Sequence, residues 1–391
     1  MKTLGSIRPF LSVLFLTTIS VQAEDALDRW YLRDARVVNK VRFVGGVFIG
    51  VGDNGHILTS ANGQTWTART SGTTAHLRGV AYGGVFPNPN SYVAVGTGGT
   101  ILISSNAMDW TSIVTTNNCD LNDVAYGNNK FITVATRATI NQPNALSSPD
   151  GMNWSKVIFP NAQPDQFGSY GTYTLVAVGN IFIAAGSPSI ASYIWRSNGG
   201  STWENRGYNY EAIQGIAFGN GRFVTIGFEG PPLVSTDLGL TWGISGTYPC
   251  NFSCLQGRAI AFGNSTFVAS HSYFSGLVTT TNGLTWTRRS ALTGNETISL
   301  AFGNGAFVAA GSGGIYQSEP VSTPGLSVTR NSTNALNLTA AGEVGRAYRL
   351  QTSTNLSNWS DHFHYTNTLP AMEFIEPVTN HSPLYYRAVT P

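Results

Sequence analysis

Five acids stand in segments where a carboxylate could do chemistry: Asp53, Asp165, Glu211, Glu229 and Glu296. Glycoside hydrolysis needs two carboxyl groups held a fixed distance apart. Glu229 lies between Phe228 and Gly230-Pro231, surroundings that raise a carboxyl pKa. With Glu211 and Asp165 it completes the weak candidates for an acid or base, and their spacing pairs none of them. No catalytic residue is assigned on this basis. Arg137, Arg206, Arg258, Arg288 and Arg289 could grip a carboxylate through the guanidinium fork. Aromatic residues crowd the same segments. Tyr170, Tyr173, Tyr208, Tyr210, Phe228, Tyr248 and Tyr273, with Arg137, are the candidate ligand-binding set. Their rings offer large apolar area with a polar handle, which suits sugars and protein hot spots.

Other motifs carry less. Gly50-Val51-Gly52-Asp53-Asn54-Gly55 has dinucleotide-binding spacing, but no helix follows to hold a phosphate. His362 and His364 share one strand face without an evident third ligand, so neither a metal nor a cofactor is expected. Cys250 and Cys254 could close a small loop in an oxidising compartment, leaving Cys119; all three could equally be loop thiols.

Composition bounds the class. The 391 residues include 44 glycines, 12% aromatic and only 11% charged residues. Disorder needs high charge and few aromatics, and helical bundles need abundant Ala, Glu, Lys and Leu. Short strands joined by tight turns fit instead. Residues 1–23 read as a secretory signal peptide: Lys2 and Arg8, an apolar run from Phe10 to Ile19, then Val21-Gln22-Ala23. The run is too short to span a bilayer, which takes about 20 residues. Its removal takes two of the 22 basic residues and leaves 20 against 20 acidic. No nucleic-acid partner and no further membrane span are expected. The protein is expected to be secreted or at the cell surface.

The elements that must position these residues repeat. An aliphatic–Ala–aromatic–Gly phrase recurs with glycines at 45, 83, 127, 179, 219, 263 and 303. The first copy, Arg42-Phe43-Val44-Gly45, is degenerate. A second phrase ends in Trp66, Trp110, Trp154, Trp203, Trp242 and Trp286. Each unit of about forty residues reads as four strands, with Asn-Gly or Asp-Gly at hairpin turns. Such units are propeller blades. The seventh lacks its Trp strand, and Asp28-Arg29-Trp30-Tyr31-Leu32-Arg33 resembles the missing one. The expected fold is all-β: a seven-bladed β-propeller over residues 24–318, closed by an N-terminal strand, which leaves no exposed edge. A linker over 319–325 leads to a small β-sandwich of six strands over 326–391.

Ser235-Thr236-Asp237-Leu238-Gly239-Leu240-Thr241-Trp242 resembles the Asp-box of sialidase-like propellers, and Ser148 to Trp154 is close to it. The resemblance implies that Asp150, Trp154, Asp237 and Trp242 build a hairpin away from the active face. Asp-box propellers include sialidases, sortilin-type receptors, endo-glucanases and photosystem-II assembly factors. The arginine pattern and blade number depart from sialidases, and Arg42 is a poor substitute for their early arginine. Residues 326–391 resemble a module at the C-termini of secreted bacterial proteins, through Tyr348 to Leu356, Trp359 and Tyr385-Tyr386-Arg387. The variable segments would gather on one face. The leading expectation is a binding protein that presents this face to a glycan or protein. The alternatives are a glycan-acting hydrolase or lyase and a structural or assembly factor of the cell surface.

Overall fold

The computed structural model describes residues 26–84, 90–115, 118–136, 145–159, 172–187, 192–209, 212–228, 231–244, 257–271, 276–321, 325–330, 335–341, 347–353, 358–366, 371–377 and 385–389. Among the described residues between 26 and 321, seven four-stranded antiparallel sheets form. The sixth is typical. Its strands are Ile260–Gly263, Thr266–His271, Gly276–Thr280 and Thr287–Arg289, paired in that order. The first two are joined by a turn in which Asn264 and Ser265 take φ of 44° and 58°, the left-handed region that such turns require. In the last sheet, Thr297–Gly303, Ala306–Gly311 and Gly314–Ser318 are joined by Trp30–Asp34 from the other end of the chain. Trp30 pairs with Ser318 and Leu32 with Tyr316.

The first strands of the sheets pack side by side in chain order: Lys40–Val44, Leu77–Gly83, Leu121–Gly127, Thr172–Val178, Ala212–Gly219, Ile260–Gly263 and Thr297–Gly303. The last packs on the first again. Apolar layers lie between consecutive sheets. One joins Val41, Phe48 and Leu58 of the first sheet to Ala301, Val308 and Ile315 of the last. Strands buried on both faces need apolar side chains on both, which explains why the alternation expected of half-buried strands is weak here.

The repeated phrase has a steric meaning. A Cβ added to Gly83 would lie 2.1 Å from the Tyr126 ring of the next sheet. The distance is 2.1 Å from Gly219 to Phe262, 2.0 Å from Gly263 to Phe302 and 2.2 Å from Gly303 to Phe43. None of these glycines has positive φ. Glycine is there because a neighbouring ring occupies the place of a side chain. Each ring also leans on an aromatic of its own sheet, as Phe302 does on Phe307 at 4.8 Å.

The Trp phrase ends the outer hairpins of the first six sheets, and its polar residues close several of them from within. Asn62 Oδ1 accepts from the Gln64 and Thr65 amides, Ser60 Oγ accepts from Gly63 N, and Trp66 Nε1 donates to the Gly63 carbonyl. Asp150, Ser148 and Trp154 repeat the pattern, and so do Asn282 and Thr280 in the sixth sheet. The turn uses one side-chain oxygen as acceptor, so Asn serves as well as Asp.

Glu319 and Val321 pack on the ring. Glu319 pairs with Arg29 at 2.6 Å, and Val321 is buried beside Leu27 and Phe307. Beyond them, Gly325–Arg330, Ala335–Ala341 and Ala371–Pro377 form one three-stranded sheet. Ala347–Ser353, Ser360–Thr366 and Tyr385–Val389 form another. Leu338 and Ala340 of the first share a core with Tyr348, Leu350 and Tyr365 of the second. Burial pushes the Tyr365 hydroxyl up to about 12.

Candidate functional site

The start of every first strand and the turn between second and third strands lie at one end of the ring. Polar groups gather there. Asn39 Nδ2 donates to Asp53 at 2.7 Å, and His76 Nδ1 meets the same oxygen at 2.9 Å. The Asn39 bond, with His76 behind it, holds the Asp53 carboxyl below its ordinary range. Arg78 pairs with Asp120 at 3.2 Å and donates to Asn122 at 2.9 Å. Arg258 pairs with Glu296 at 3.1 Å. Each of these acids is held by its own cation or amide. Asp53 and Glu296 have separate partners and form no pair with each other.

Deeper in the ring sits a cluster that crosses three sheets. Asp123, on Leu121–Gly127, is fully buried. Arg42, on Lys40–Val44, reaches it with one terminal nitrogen at 2.9 and 2.8 Å. Lys40 Nζ lies 3.3 Å from Asp123 Oδ2. Arg42 also donates to the carbonyls of Val124 and Leu175, each at 3.3 Å, and the Leu175 amide donates to Asp123 at 3.2 Å. Burial holds the Lys40 ammonium below its ordinary range, with Arg42 pressing the same way and Asp123 opposing both.

Register shows why this cluster is singular. Arg42 pairs with Ile49 as Ala81 pairs with Val93, Ala125 with Ile132, Ala217 with Val224, Ala261 with Val268 and Ala301 with Val308. One copy therefore carries a guanidinium where five carry a methyl group. Lys40 and Asp123 share the position two residues earlier, which holds Gly79, Gly215 and Ser299 in other copies. Comparing the copies column by column would have revealed this from sequence. Arg42 was legible only as a misfit with sialidases, and Lys40 and Asp123 were missed.

Most of the expected site residues lie outside the described residues: Asp165, Glu211, Glu229, Tyr170, Tyr210, Tyr248, Tyr273, Arg137, Cys250 and Cys254. So do residues 1–23, expected as a signal peptide. Tyr173, Tyr208 and Phe228 fall on strands at the polar end of the ring, opposite Gly186, Tyr193 and Ala212. Asp150 and Asp237 are saturated within their own turns. Asp237 accepts from Thr241 Oγ1, Ser235 Oγ and the Leu240 and Thr241 amides, and these bonds hold it well below the carboxylate range, the Thr241 hydroxyl above all. Trp242 packs in the layer between the fourth and fifth sheets. Cys119 is buried. Gly50 to Gly55 joins two strands through a three-residue turn.

A cavity of about 670 Å³ beside the first sheet is lined by Arg36, His56, Arg69 and Ser71. Arg36 is already forked onto Asp34. Among the described residues no group of three His, Cys, Asp or Glu side chains could hold a metal. No helix among them is long and apolar enough to cross a membrane.

No family model matches the chain, and no curated protein matches it. Solved structures do. A YCF48 structure titled as bound to D1 peptide is 16% identical, with TM-score 0.55 over 75% of this chain and 97% of that one. PorZ, a bacterial surface component of the type-IX secretion system of Porphyromonas gingivalis, is 12% identical, with TM-score 0.56 over 91% of this chain and 59% of PorZ. The GH74 enzyme of Niastella koreensis is 17% identical, with TM-score 0.52 over 74% of this chain and 44% of that one. At these identities the likeness concerns the fold: the chain contains a β-propeller.

Proposed function

We propose that this chain is an exported binding protein whose polar, loop-bearing propeller face receives a protein partner. In this reading the propeller is seven-bladed and of the Asp-box type, Asp150, Trp154, Asp237 and Trp242 serve the scaffold, and a β-sandwich module follows. Export rests on the composition of residues 1–23.

The observation that carries the reading is the contrast within each copy. The hairpins around Asn62, Asp150, Asp237 and Asn282 are closed in nearly the same way, whereas the sequence between one copy's last strand and the next copy's first strand differs from copy to copy and holds many of the aromatic residues. A regular scaffold that presents unequal loops is a recognition surface. The peptide-bound YCF48 propeller supports a peptide-like ligand, and PorZ supports a surface setting. Hydrolysis would require two converging carboxylates. The described acids at this face, Asp53, Asp120, Asp123 and Glu296, are each engaged by separate partners.

The test probes the purified protein on a peptide array and a glycan array in parallel, with mass spectrometry for cleavage products. Saturable peptide binding, weakened by Tyr208→Ala and Tyr273→Ala, is expected. Glycan binding alone would replace the protein partner by a glycan. Cleavage of a glycan would overturn the binding reading and direct attention to Glu229, Glu211 and Asp165.

A further inference from the structure

The geometry points to an oxyanion-binding site inside the ring, with the Lys40 ammonium as its anchor and carboxylate or sulfate-type groups as its ligands. The charge count is the first ground. Two cations, Lys40 and Arg42, face one carboxylate, Asp123, so the cluster carries one positive charge in excess. Burial in a low-dielectric bore makes an uncompensated charge costly, and a bound anion removes that cost.

The second ground is bonding capacity. Asp123 is saturated: it accepts from Arg42, from Lys40 and from the Val124 and Leu175 amides. Arg42 is spread over Asp123 and two carbonyls. Lys40 has three donors and makes one long bond, 3.3 Å to Asp123. Burial, with Arg42 beside it, lowers its pKa, and Asp123 alone opposes them.

The third ground is access. The Lys40 and Arg42 side chains keep 24% and 23% exposure, whereas Asp123 keeps 1%. Lys40 opens its strand, so an anion reaches it from the polar end of the ring. The acid stays sealed beneath.

Lys40→Met tests this cleanly, because it leaves a neutral Arg42–Asp123 pair and should fold. Calorimetric titration with sodium sulfate and with sodium acetate, against sodium chloride at matched ionic strength, reads binding directly. The native protein should give a saturable isotherm with one anion per chain. Lys40→Met should weaken it by about tenfold or more, as loss of a charge-assisted bond implies. An unsaturable response, or equal affinity in Lys40→Met, would overturn the site. Should Lys40→Met fold poorly, Lys40→Gln and the native isotherm decide in its place. The site does not depend on the partner reading: free anions can bind whether or not the array finds a peptide.

Discussion

Gly263→Ala should break the ring at one junction. The added methyl would stand 2.0 Å from Phe302 Cγ and 2.3 Å from both Cδ atoms. Ordinary carbon contacts are about 3.5–4.0 Å, so the ring must retreat by more than about 1 Å. Phe307 lies behind it, fully buried, with ring centroids 4.8 Å apart. Retreat therefore means parting the sixth and seventh sheets. Overpacking of this kind costs about 1–3 kcal/mol, and the closeness of the clash places it at the upper end. Gly243→Ala is the control, because nothing lies within 4 Å of its Cβ position and its φ is not positive. It should change stability by less than about 0.5 kcal/mol. Urea unfolding of both variants, alone and with Phe302→Ala, completes a double-mutant cycle. With the ring gone, Gly263→Ala should cost little. An equal cost with and without Phe302, or a cost no larger than that of Gly243→Ala, would refute the steric account.

Further outcomes are expected. Asp123→Ala leaves Lys40 and Arg42 facing each other without an acid, and should cost about 3–5 kcal/mol in urea unfolding, far more than Lys40→Met. Asp150→Asn should be nearly neutral, since Asn62 and Asn282 do the same work, whereas Asp150→Ala should cost about 1 kcal/mol through the orphaned Met152 and Asn153 amides. His271 is buried, and burial, with Arg288 nearby, holds its folded pKa below the ordinary 6.5. Its contribution is complete above pH 6.5 and is lost as pH falls toward the folded value. Melting temperatures between pH 7.5 and 5 should therefore drop less in His271→Gln than in the native protein.

The fold was largely legible because its signals are local. Turn residues at fixed spacing marked the hairpins, and the lone Trp30 segment marked the strand that pairs with Gly314–Ser318. Six C-terminal strands were expected, and six are found among the described residues there. The fourth copy was misaligned: Gly179 and Asn180 form its turn where the third copy has Asn128 and Asn129, so Ala177, not Val178, pairs with the buried aromatic Phe182. Composition suggested a linker at Glu319-Pro320-Val321, yet Val321 is buried, because Pro and Thr neighbours say nothing of packing. The odd residues of the axial cluster stand out only when the copies are compared column by column, and their meeting is not written in any one copy. Arg42 and Asp123 stand 81 residues apart and meet across the ring, a relation set by curvature and not by any local pattern.

The glycine–aromatic contacts run in one direction. Four sheets offer a bare backbone to the ring of their successor: Gly83 to Tyr126, Gly219 to Phe262, Gly263 to Phe302 and Gly303 to Phe43. The two halves of each contact lie in different copies, so a copy that carries both, such as the sixth with Phe262 and Gly263, fits between neighbours that also carry both. A copy that lacks one half leaves the seam incomplete on that side. At one seam the glycine persists without its ring: Gly127 faces Ala177.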